Sequence, residues 1–308
     1  MKKLASVTFA ILLMNSALAC DVCGCAVSSA NGDVIPGIFS NYIGLGSSLR
    51  SFSSTHLTLF DNEIPRKSSE YFSVVHLHGR YSPTRRVQIY GNLPVSMVQK
   101  TENNETRSSS GLSDASLRVN YLVIDKKKDS SESFLNLFLG STLKAPTGRN
   151  EFTANEEFYF NRNMLPGSGT FDVGLHIDLI YRKKSFGTAF YGTSILRGQV
   201  KDDYDFGNFY HSRLSAFHFV KFKKSSLMID AGMDFSMYEQ DENLRSNSFE
   251  EYTGGWMLSP SLRVNYNTEK LIFSATAQRP VAQELAQGQM ANNYSVQLNI
   301  IYLFNSKK

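Results

Sequence analysis

The feature that most constrains the fold is a two-residue alternation of apolar and polar side chains along most of the chain. In the last such segment, YSVQLNIIYLF, every second residue from Tyr294 to Phe304 is apolar, and Ser295 and Gln297 lie between them. Successive side chains of a β-strand point to opposite faces, so this spacing predicts strands with one apolar and one polar face. No segment between residues 37 and 304 shows a sustained helical period, and we therefore expect an all-β protein.

The alternation predicts about twelve strands, joined by connections of two kinds. The strands are expected at residues 37–52, 69–82, 85–99, 112–124, 133–145, 170–182, 186–197, 209–222, 226–238, 254–267, 270–280 and 292–304. Short turns are expected at 82–85, 125–133, 182–185, 223–226 and 267–270. Long loops alternate with them at 53–68, 100–111, 146–169, 198–208, 239–253 and 281–291.

Alternating turn lengths are typical of a transmembrane barrel, in which tight periplasmic turns alternate with long extracellular loops. Because no water is present in the bilayer core, every backbone group must be paired within the protein, and a closed sheet achieves this. We therefore predict a transmembrane antiparallel up-and-down β-barrel. A secreted β-sandwich is the competing architecture, but it would need its polar face outward and does not explain the alternating loops.

The first residues have the features of an export signal. Lys2 and Lys3 give a positive start, an apolar run follows from Leu4 to Met14, and ALA at 17–19 supplies small residues for cleavage. We therefore expect the mature protein in the outer membrane of a Gram-negative-type cell. The expected organisation is a signal peptide at 1–19, a cysteine-containing periplasmic segment at 20–36, the barrel at 37–304 and a tail at 305–308.

Charge and motif content argue against two other classes of function. The net charge is only +4 and the basic residues are scattered or sit in short turns, which argues against a nucleic-acid partner. The sequence contains no G-x-S-x-G motif, and the Ser, His and Asp residues lie on strands without a nucleophile motif, so we do not expect an enzyme. The expected partners are outer-membrane lipid and a small-molecule solute, and the oligomeric state stays open.

Three segments occur in an order that is characteristic of a known family. They are GLSDASLRVNYLV (111–123), STLKAPTGRNEF (141–152) and NMLPGSGTFDVGLHIDLIY (163–181), preceded by RRVQIYGNLPVSMV (85–98). Together they resemble the transporter-like barrels of the family named for the meta-pathway of phenol degradation, although Ser113 stands where that family tends to carry a glycine. The resemblance implies a barrel that passes small, often apolar organic molecules across the outer membrane.

If the apolar face meets lipid, the polar face must line the lumen. The residues expected on this lumen face, along the permeation path, are His76, His78, Arg80, Arg118, Asp172, His176, Asp178, Arg182, Asp230, Asp234 and Arg263. Two interpretations stay open for them: internal salt bridges that maintain the barrel shape, or a selective polar path. His76 and His78 share one face and could offer two nitrogens to a metal ion.

The segment from 146 to 169 is the longest predicted loop and is long enough to fold into the barrel as a constriction. Within it, Phe158, Tyr159 and Phe160 lie beside two carboxylates and would suit a gate or an apolar binding patch. The motif glycines and Pro146, Pro166, Asp114 and Asp172 can equally be explained as residues that shape turns.

All three cysteines lie in CDVCGC, at Cys20, Cys23 and Cys25. Three alternatives remain open for them. Cys20 would be the first mature residue and could carry a lipid, although ALA is a poor lipobox. A disulfide is the second alternative, but Cys23 and Cys25 are too close together to pair without strain. Binding of a soft metal ion such as copper or zinc by two or three thiolates is the third.

These observations favour a channel that passes small organic or apolar solutes passively through a narrow lumen, with no cofactor. Barrels of eight strands are filled by side chains and those of sixteen hold open aqueous channels, so twelve strands predict a narrow passage that loops or charges can shut. Two alternatives are a metal-handling outer-membrane barrel that uses the N-terminal CxxCxC segment, and a structural or adhesive surface barrel.

Overall fold

The computed structural model describes residues 40–56, 66–128, 132–153, 156, 160–201, 203–246, 248–250 and 252–304. The expected signal peptide at 1–19, the cysteine segment at 20–36 and the tail at 305–308 lie outside these residues. The cysteines for which lipidation, disulfide formation and metal binding are predicted as alternatives, Cys20, Cys23 and Cys25, lie outside them as well.

Within the described residues, the chain forms a closed antiparallel β-barrel of 12 strands, which confirms the predicted architecture. The strands are β1 (Asn41–His56), β2 (Arg66–Tyr81), β3 (Val87–Glu102), β4 (Glu105–Leu112), β5 (Ser116–Lys128), β6 (Ser133–Lys144), β7 (Asp172–Lys183), β8 (Phe186–Leu196), β9 (Gln199–Val200), β10 (Tyr204–Asp205), β11 (Phe209–Lys221), β12 (Ser226–Tyr238), β13 (Glu242–Asn243), β14 (Ser248–Phe249), β15 (Gly255–Asn267), β16 (Leu271–Gln278), β17 (Ala282–Leu285) and β18 (Met290–Phe304). Short 3-10 turns lie at Arg162–Met164 and Ala286–Gly288. No helix in this part of the chain is long and apolar enough to cross a bilayer.

The barrel closes because the first strand pairs on both sides. β1 is hydrogen-bonded to β2 along one edge and to β18 along the other, in a ladder that runs from Asn41↔Phe304 to Ser54↔Met290. Two of the twelve barrel strands are interrupted and carry two labels. β4 and β5 both pair with β3 on either side of a break at residues 113–115, and β16 and β17 both pair with β15 around a break at 279–281.

The apolar faces of the strands point outward, as expected for a barrel in lipid. On β7, Leu175 is 56% exposed whereas its neighbour His176 is buried; on β18, Leu298 is 56% exposed and Asn299 is buried. A soluble protein would hide such residues, and a continuous belt of exposed aliphatic side chains is the surface that a membrane protein offers to acyl chains.

Exposed aromatic residues mark both edges of this apolar belt. Four pairs of outward aromatic residues stand ten positions apart, on one strand or directly before it: Tyr71 with Tyr81, Phe171 with Tyr181, Trp256 with Tyr266, and Tyr294 with Phe304. Ten residues of a strand tilted by about 40° rise roughly 26 Å, which matches the apolar band of about 25 Å in transmembrane barrels. Aromatic residues favour the two membrane–water interfaces, so these pairs locate both membrane boundaries.

The prediction of a long loop at residues 100–111 is wrong. β3 continues to Glu102 and β4 begins at Glu105, so the connection is a two-residue turn at Asn103 and Asn104, with φ of 51° and 65°. Asparagine tolerates this left-handed conformation, which tight hairpin turns require. The segment is polar on both faces because the hairpin protrudes beyond the apolar belt, and the alternation that signals a strand is therefore missing.

Two other predicted loops, 198–208 and 239–253, fold against each other. They form a second small sheet in which the strands pair in the order β14, β13, β10 and β9. We call the end of the barrel that carries this sheet the long-loop mouth, and the opposite end, where the chain makes its short turns, the short-turn mouth.

We predict that Leu298→Arg destabilises the folded barrel by about 2–4 kcal/mol when it is measured in phospholipid vesicles, because this residue lies halfway between two aromatic girdle positions and its charge would enter hydrocarbon. Equilibrium unfolding in guanidinium provides the measurement. The matched control is Phe249→Arg, at an exposed apolar residue of the small outer sheet, and it should change the free energy of unfolding little. Equal small effects of both substitutions would contradict the membrane boundaries proposed above.

Candidate functional site

The structure places ten of the eleven candidates for the permeation path inside the barrel. They are His76, His78, Arg80, Arg118, Asp172, His176, Asp178, Asp230, Asp234 and Arg263. The most exposed of them, Arg263, is only 9% exposed, so all are withdrawn from the outer surface. Arg182 is half-buried at the short-turn end of β7. The role of these residues in permeation stays a prediction.

One group of charges bridges strands that are not neighbours. Arg118 on β5 forms a salt bridge with Asp178 on β7, and Asn120 donates to the same carboxylate at 3.2 Å. The side chains cross β6 at Gly140, where a Cβ atom would lie 2.0 Å from the amide oxygen of Asn120. Gly140 therefore leaves the space through which these side chains reach from β5 across β6 to β7.

A second group of charges lies on β11 and β12. Arg213 forms a salt bridge with Asp230 and approaches Asp234 at 3.9 Å, while His211 Nε2 lies 3.4 Å from the other Asp234 oxygen. Ser215 also donates to Asp230, at 3.1 Å. The two aspartates were predicted from the sequence, whereas Arg213 and His211 were missed, although both stand at alternate positions of a predicted strand.

The three candidate histidines have different surroundings. The rings of His76 and His78 lie 5.0 Å apart. His76 lies above Gly46 and His78 above Gly44, where a Cβ atom would come within 2.2 Å and 2.6 Å of the respective Nε2 atoms. His176 hydrogen-bonds Thr142 and Thr193 on the neighbouring strands, at 2.6 and 3.0 Å. Across the described residues, no three His, Cys, Asp or Glu side chains are grouped to hold a metal ion.

An apolar cluster lies inside the long-loop mouth, and we call it the mouth cluster. Its buried members are Phe52, Phe72, Val98, Phe160, Met164, Ile195, Phe209, Tyr238, Leu285, Ala286 and Met290. Most come from the barrel wall, but Phe160 and Met164 belong to the connection between β6 and β7. This connection therefore enters the barrel, and Phe160 is only 5% exposed there. Phe158 and Tyr159, the other residues of the predicted constriction, lie outside the described residues.

Both ends of this connection are held by one buried cluster of charges, which we call the loop anchor. The ammonium group of Lys144 lies 2.9 Å from Asp114 and 2.7 Å from Asp172. Ser168 donates its hydroxyl to Asp114 at 2.7 Å, and Thr170 donates its hydroxyl to Asp172 at 2.8 Å. The GLSD, LKAPTG and PGSGTFD motifs thus meet at a single point, with one cation between two carboxylates.

The motif glycines allow the backbone to come close at the loop anchor. A Cβ atom on Gly167 would lie 2.5 Å from the carbonyl carbon of Gly148, so no larger residue fits at this contact. Asp114 accepts backbone hydrogen bonds from Gly148 and Ser168, both at 2.9 Å. The motifs that carry the family resemblance therefore build a clamp that ties the two ends of the loop together.

Arg149, which follows the PTG motif, adds a second clamp outside the membrane. It forms a bidentate salt bridge with Glu156, at 2.7 and 3.2 Å, and its side chain donates to the Ser110 carbonyl on β4 at 3.2 Å. Partial burial would raise the pKa of Glu156, but the Arg149 guanidinium and the Thr153 amide outweigh it and lower the pKa to about 2.

The outer loops cover the mouth cluster. Asp241 is 3% exposed and accepts hydrogen bonds from Asn163, from Tyr204 at 2.7 Å and from the Gly207 amide at 2.7 Å. Burial and the neighbouring Asp241 raise the pKa of Tyr204 far above its ordinary value, so its hydroxyl keeps the proton that it donates. This carboxylate ties the loop from β6 to the loops that carry the small sheet.

Arginine and aromatic residues alternate at the short-turn mouth. The guanidinium carbon of Arg80 lies 5.0 Å from the centre of the Tyr42 ring and 5.9 Å from that of Tyr90. The guanidinium carbon of Arg182 lies 4.2 Å from the centre of the Phe219 ring. Cation–π contacts of this kind hold a charge against an apolar wall.

The comparisons with known proteins agree with the fold. No protein-family model matches the sequence, and no curated protein matches it. An outer membrane channel from Pseudomonas putida F1 superposes with a TM-score of 0.64 at 15% identity, over 89% of this chain and 98% of that one. The transport unit of the autotransporter AIDA-I from Escherichia coli superposes with a TM-score of 0.50 at 12% identity, over 90% of this chain and 96% of that one. At these identities the likeness establishes an outer-membrane type of barrel fold and no specific activity.

We predict that Lys144→Met releases the loop while leaving the barrel closed. Removing the cation leaves two buried carboxylates unpaired, which costs about 3–5 kcal/mol in comparable sites. Trypsin should then cleave the folded protein after Arg149 and Arg162, whereas resistance to unfolding in SDS without heating should persist. The control, Lys201→Met at an exposed loop lysine, should keep native resistance to trypsin. Unchanged resistance of Lys144→Met would contradict the role of the anchor.

We also predict a pH dependence of loop packing that comes from Glu156. Its folded-state pKa is about 2, below the ordinary 4.5, so its stabilising effect is present above pH 4.5 and is lost as the pH falls toward 2. Hydrogen exchange of residues 160–165, corrected for intrinsic rates, should accelerate over this interval. Glu156→Gln should remove that dependence, and Glu151→Gln, the matched control, should keep it.

Proposed function

We propose that this chain is an outer-membrane channel for small organic or apolar solutes, and that the loop between β6 and β7 is its constriction. The observation that carries the proposal is the position of Phe160 and Met164, which come from that loop and pack among wall residues of the mouth cluster. A solute that enters from the long-loop side meets apolar surface first. Hydrated ions and polar solutes would have to lose water there without compensation.

The arrangement of charges below the mouth cluster supports the same proposal. Arg118 with Asp178 and Arg213 with Asp230 are paired acid–base groups in the interior, so their charges are largely neutralised. Paired charges maintain the barrel shape and leave a less polar path than a row of like charges would. This favours an uncharged organic solute over an inorganic ion.

Membership of the family named for the meta-pathway of phenol degradation is part of this proposal. It rests on the resemblance of three motifs, whose residues meet at the loop anchor. Placement in the outer membrane rests on the exposed apolar belt, the two aromatic girdles and the export-type leader. We propose the channel in preference to the metal-handling and adhesive alternatives, because the apolar mouth cluster and the paired interior charges suit an uncharged solute.

Dye entry into intact Gram-negative cells tests the proposal. Lipopolysaccharide slows apolar dyes, so expression of the native protein should raise the initial rate at which a phenyl-naphthylamine dye becomes fluorescent. In planar bilayers the native protein should conduct ions weakly, and Phe160→Ser combined with Met164→Ser should raise its conductance roughly fivefold or more, because water can then enter the constriction.

The matched control replaces two exposed apolar residues, Phe249→Ser with Val281→Ser, and should leave both measurements at the native values. A native protein that admits no dye, together with a conductance that the double substitution leaves unchanged, would refute the proposed function.

A further inference from the structure

Basic residues are concentrated at the short-turn mouth. In the described parts of four turns, at residues 82–86, 125–128 with 132, 182–184 and 221–224, there are eleven lysines and arginines and two carboxylates, Asp125 and Glu132. The whole chain has a net charge of only +4, so the remainder of the protein is net acidic. We call the basic residues of these four turns the short-turn rim.

Neighbouring turns of the rim are connected. Arg85 forms a salt bridge with Asp125 at 2.9 Å, and Arg86 lies 3.4 Å from the hydroxyl of Tyr121, so the first two turns are joined. The last two are joined by a backbone hydrogen bond from Phe219 to Ser185, at 2.7 Å. A backbone hydrogen bond from Lys184 to the Glu132 carbonyl, at 3.0 Å, joins the second turn to the third, so the four turns form a continuous surface over part of the barrel edge.

The rim lies at the depth of lipid headgroups. Tyr81, Tyr121 and Tyr181 mark the lower edge of the apolar belt, and the basic residues follow within a few positions of each. In the last turn, Phe222 is 54% exposed between Lys221 and Lys223. An exposed aromatic ring flanked by lysines is suited to the membrane interface, where the ring contacts acyl chains and the ammonium groups reach phosphates.

The lysines of the last turn lie beside no acidic partner in the part of the chain that the structure describes. Lys221, Lys223 and Lys224 are exposed, and they form no ion pair with any residue that the structure describes. Like charges this close together repel one another, so an external anion would stabilise them. A lipid headgroup is the anion that the depth of the rim favours over a soluble ligand or an acidic protein.

We propose that the short-turn rim binds the headgroups of anionic phospholipids in the leaflet that faces the short turns. The inference rests on the membrane insertion contained in the proposed function, and it is independent of solute passage. The bound lipids would hold the barrel at a defined depth, because each lysine near an anionic surface contributes favourable energy that decays within a Debye length.

Spin-labelled lipids provide the test. The full-length mature protein is reconstituted in phosphatidylcholine vesicles with a minority of phosphatidylglycerol, and electron spin resonance compares the association of labelled phosphatidylglycerol and labelled phosphatidylcholine. The native barrel should prefer phosphatidylglycerol by about threefold, and the preference should fall at high salt. The rim variant, with Lys221→Gln, Lys223→Gln and Lys224→Gln, should lose most of it.

The matched control removes the same number of exposed charges from the other end, with Arg66→Gln, Lys67→Gln and Lys201→Gln, and should keep the native preference. Equal association of both lipids with the native barrel would overturn the proposal, as would an equal loss of preference in the control. Heat-modifiable mobility in SDS shows that each variant is folded. Dye entry is measured separately, so a barrel that prefers phosphatidylglycerol but admits no dye would refute the channel and leave the rim intact.

Discussion

Backbone hydrogen bonding is the constraint on which the rest of this structure depends. In a bilayer no water is available to amide and carbonyl groups, so the ladder must close on itself, and here it closes between β1 and β18. Closure reverses the usual arrangement of a globular protein. Residues such as Leu175 and Leu298 face outward, and the charged residues are enclosed, where each needs a partner.

The enclosed charges stabilise the long loop between β6 and β7 as well as the barrel wall. Arg118 and Asp178 connect two strands across Gly140, while Lys144 lies between Asp114 and Asp172 at the base of the long loop. The same physical rule, that a buried charge requires an opposite charge, therefore shapes the barrel interior and brings apolar residues of the loop into the mouth. The long loop and its anchor are thus one structural unit.

Much of the fold could be predicted, because lipid on one side and enclosed polar groups on the other impose a strict two-residue period. The prediction fails where that contrast ends. Residues 100–111 form the top of a hairpin, and both faces of this hairpin contact water. The alternation of apolar and polar side chains therefore disappears there, although the strands continue. The candidate site was predicted in part: Asp230 and Asp234 were selected, whereas Arg213, their partner on the adjacent strand, was missed because pairing is a property of register.

The sequence alone determined the strand order, the outward apolar faces and the position of three motifs at strand ends, since these depend on neighbours along the chain. Only the tertiary structure decided that GLSD, LKAPTG and PGSGTFD meet around Lys144, and that Phe160 lies inside the barrel. The reason is geometric. Residues separated by 30 or more positions become neighbours only when their strands pair with a definite register, and no local pattern of side chains encodes the distance between them.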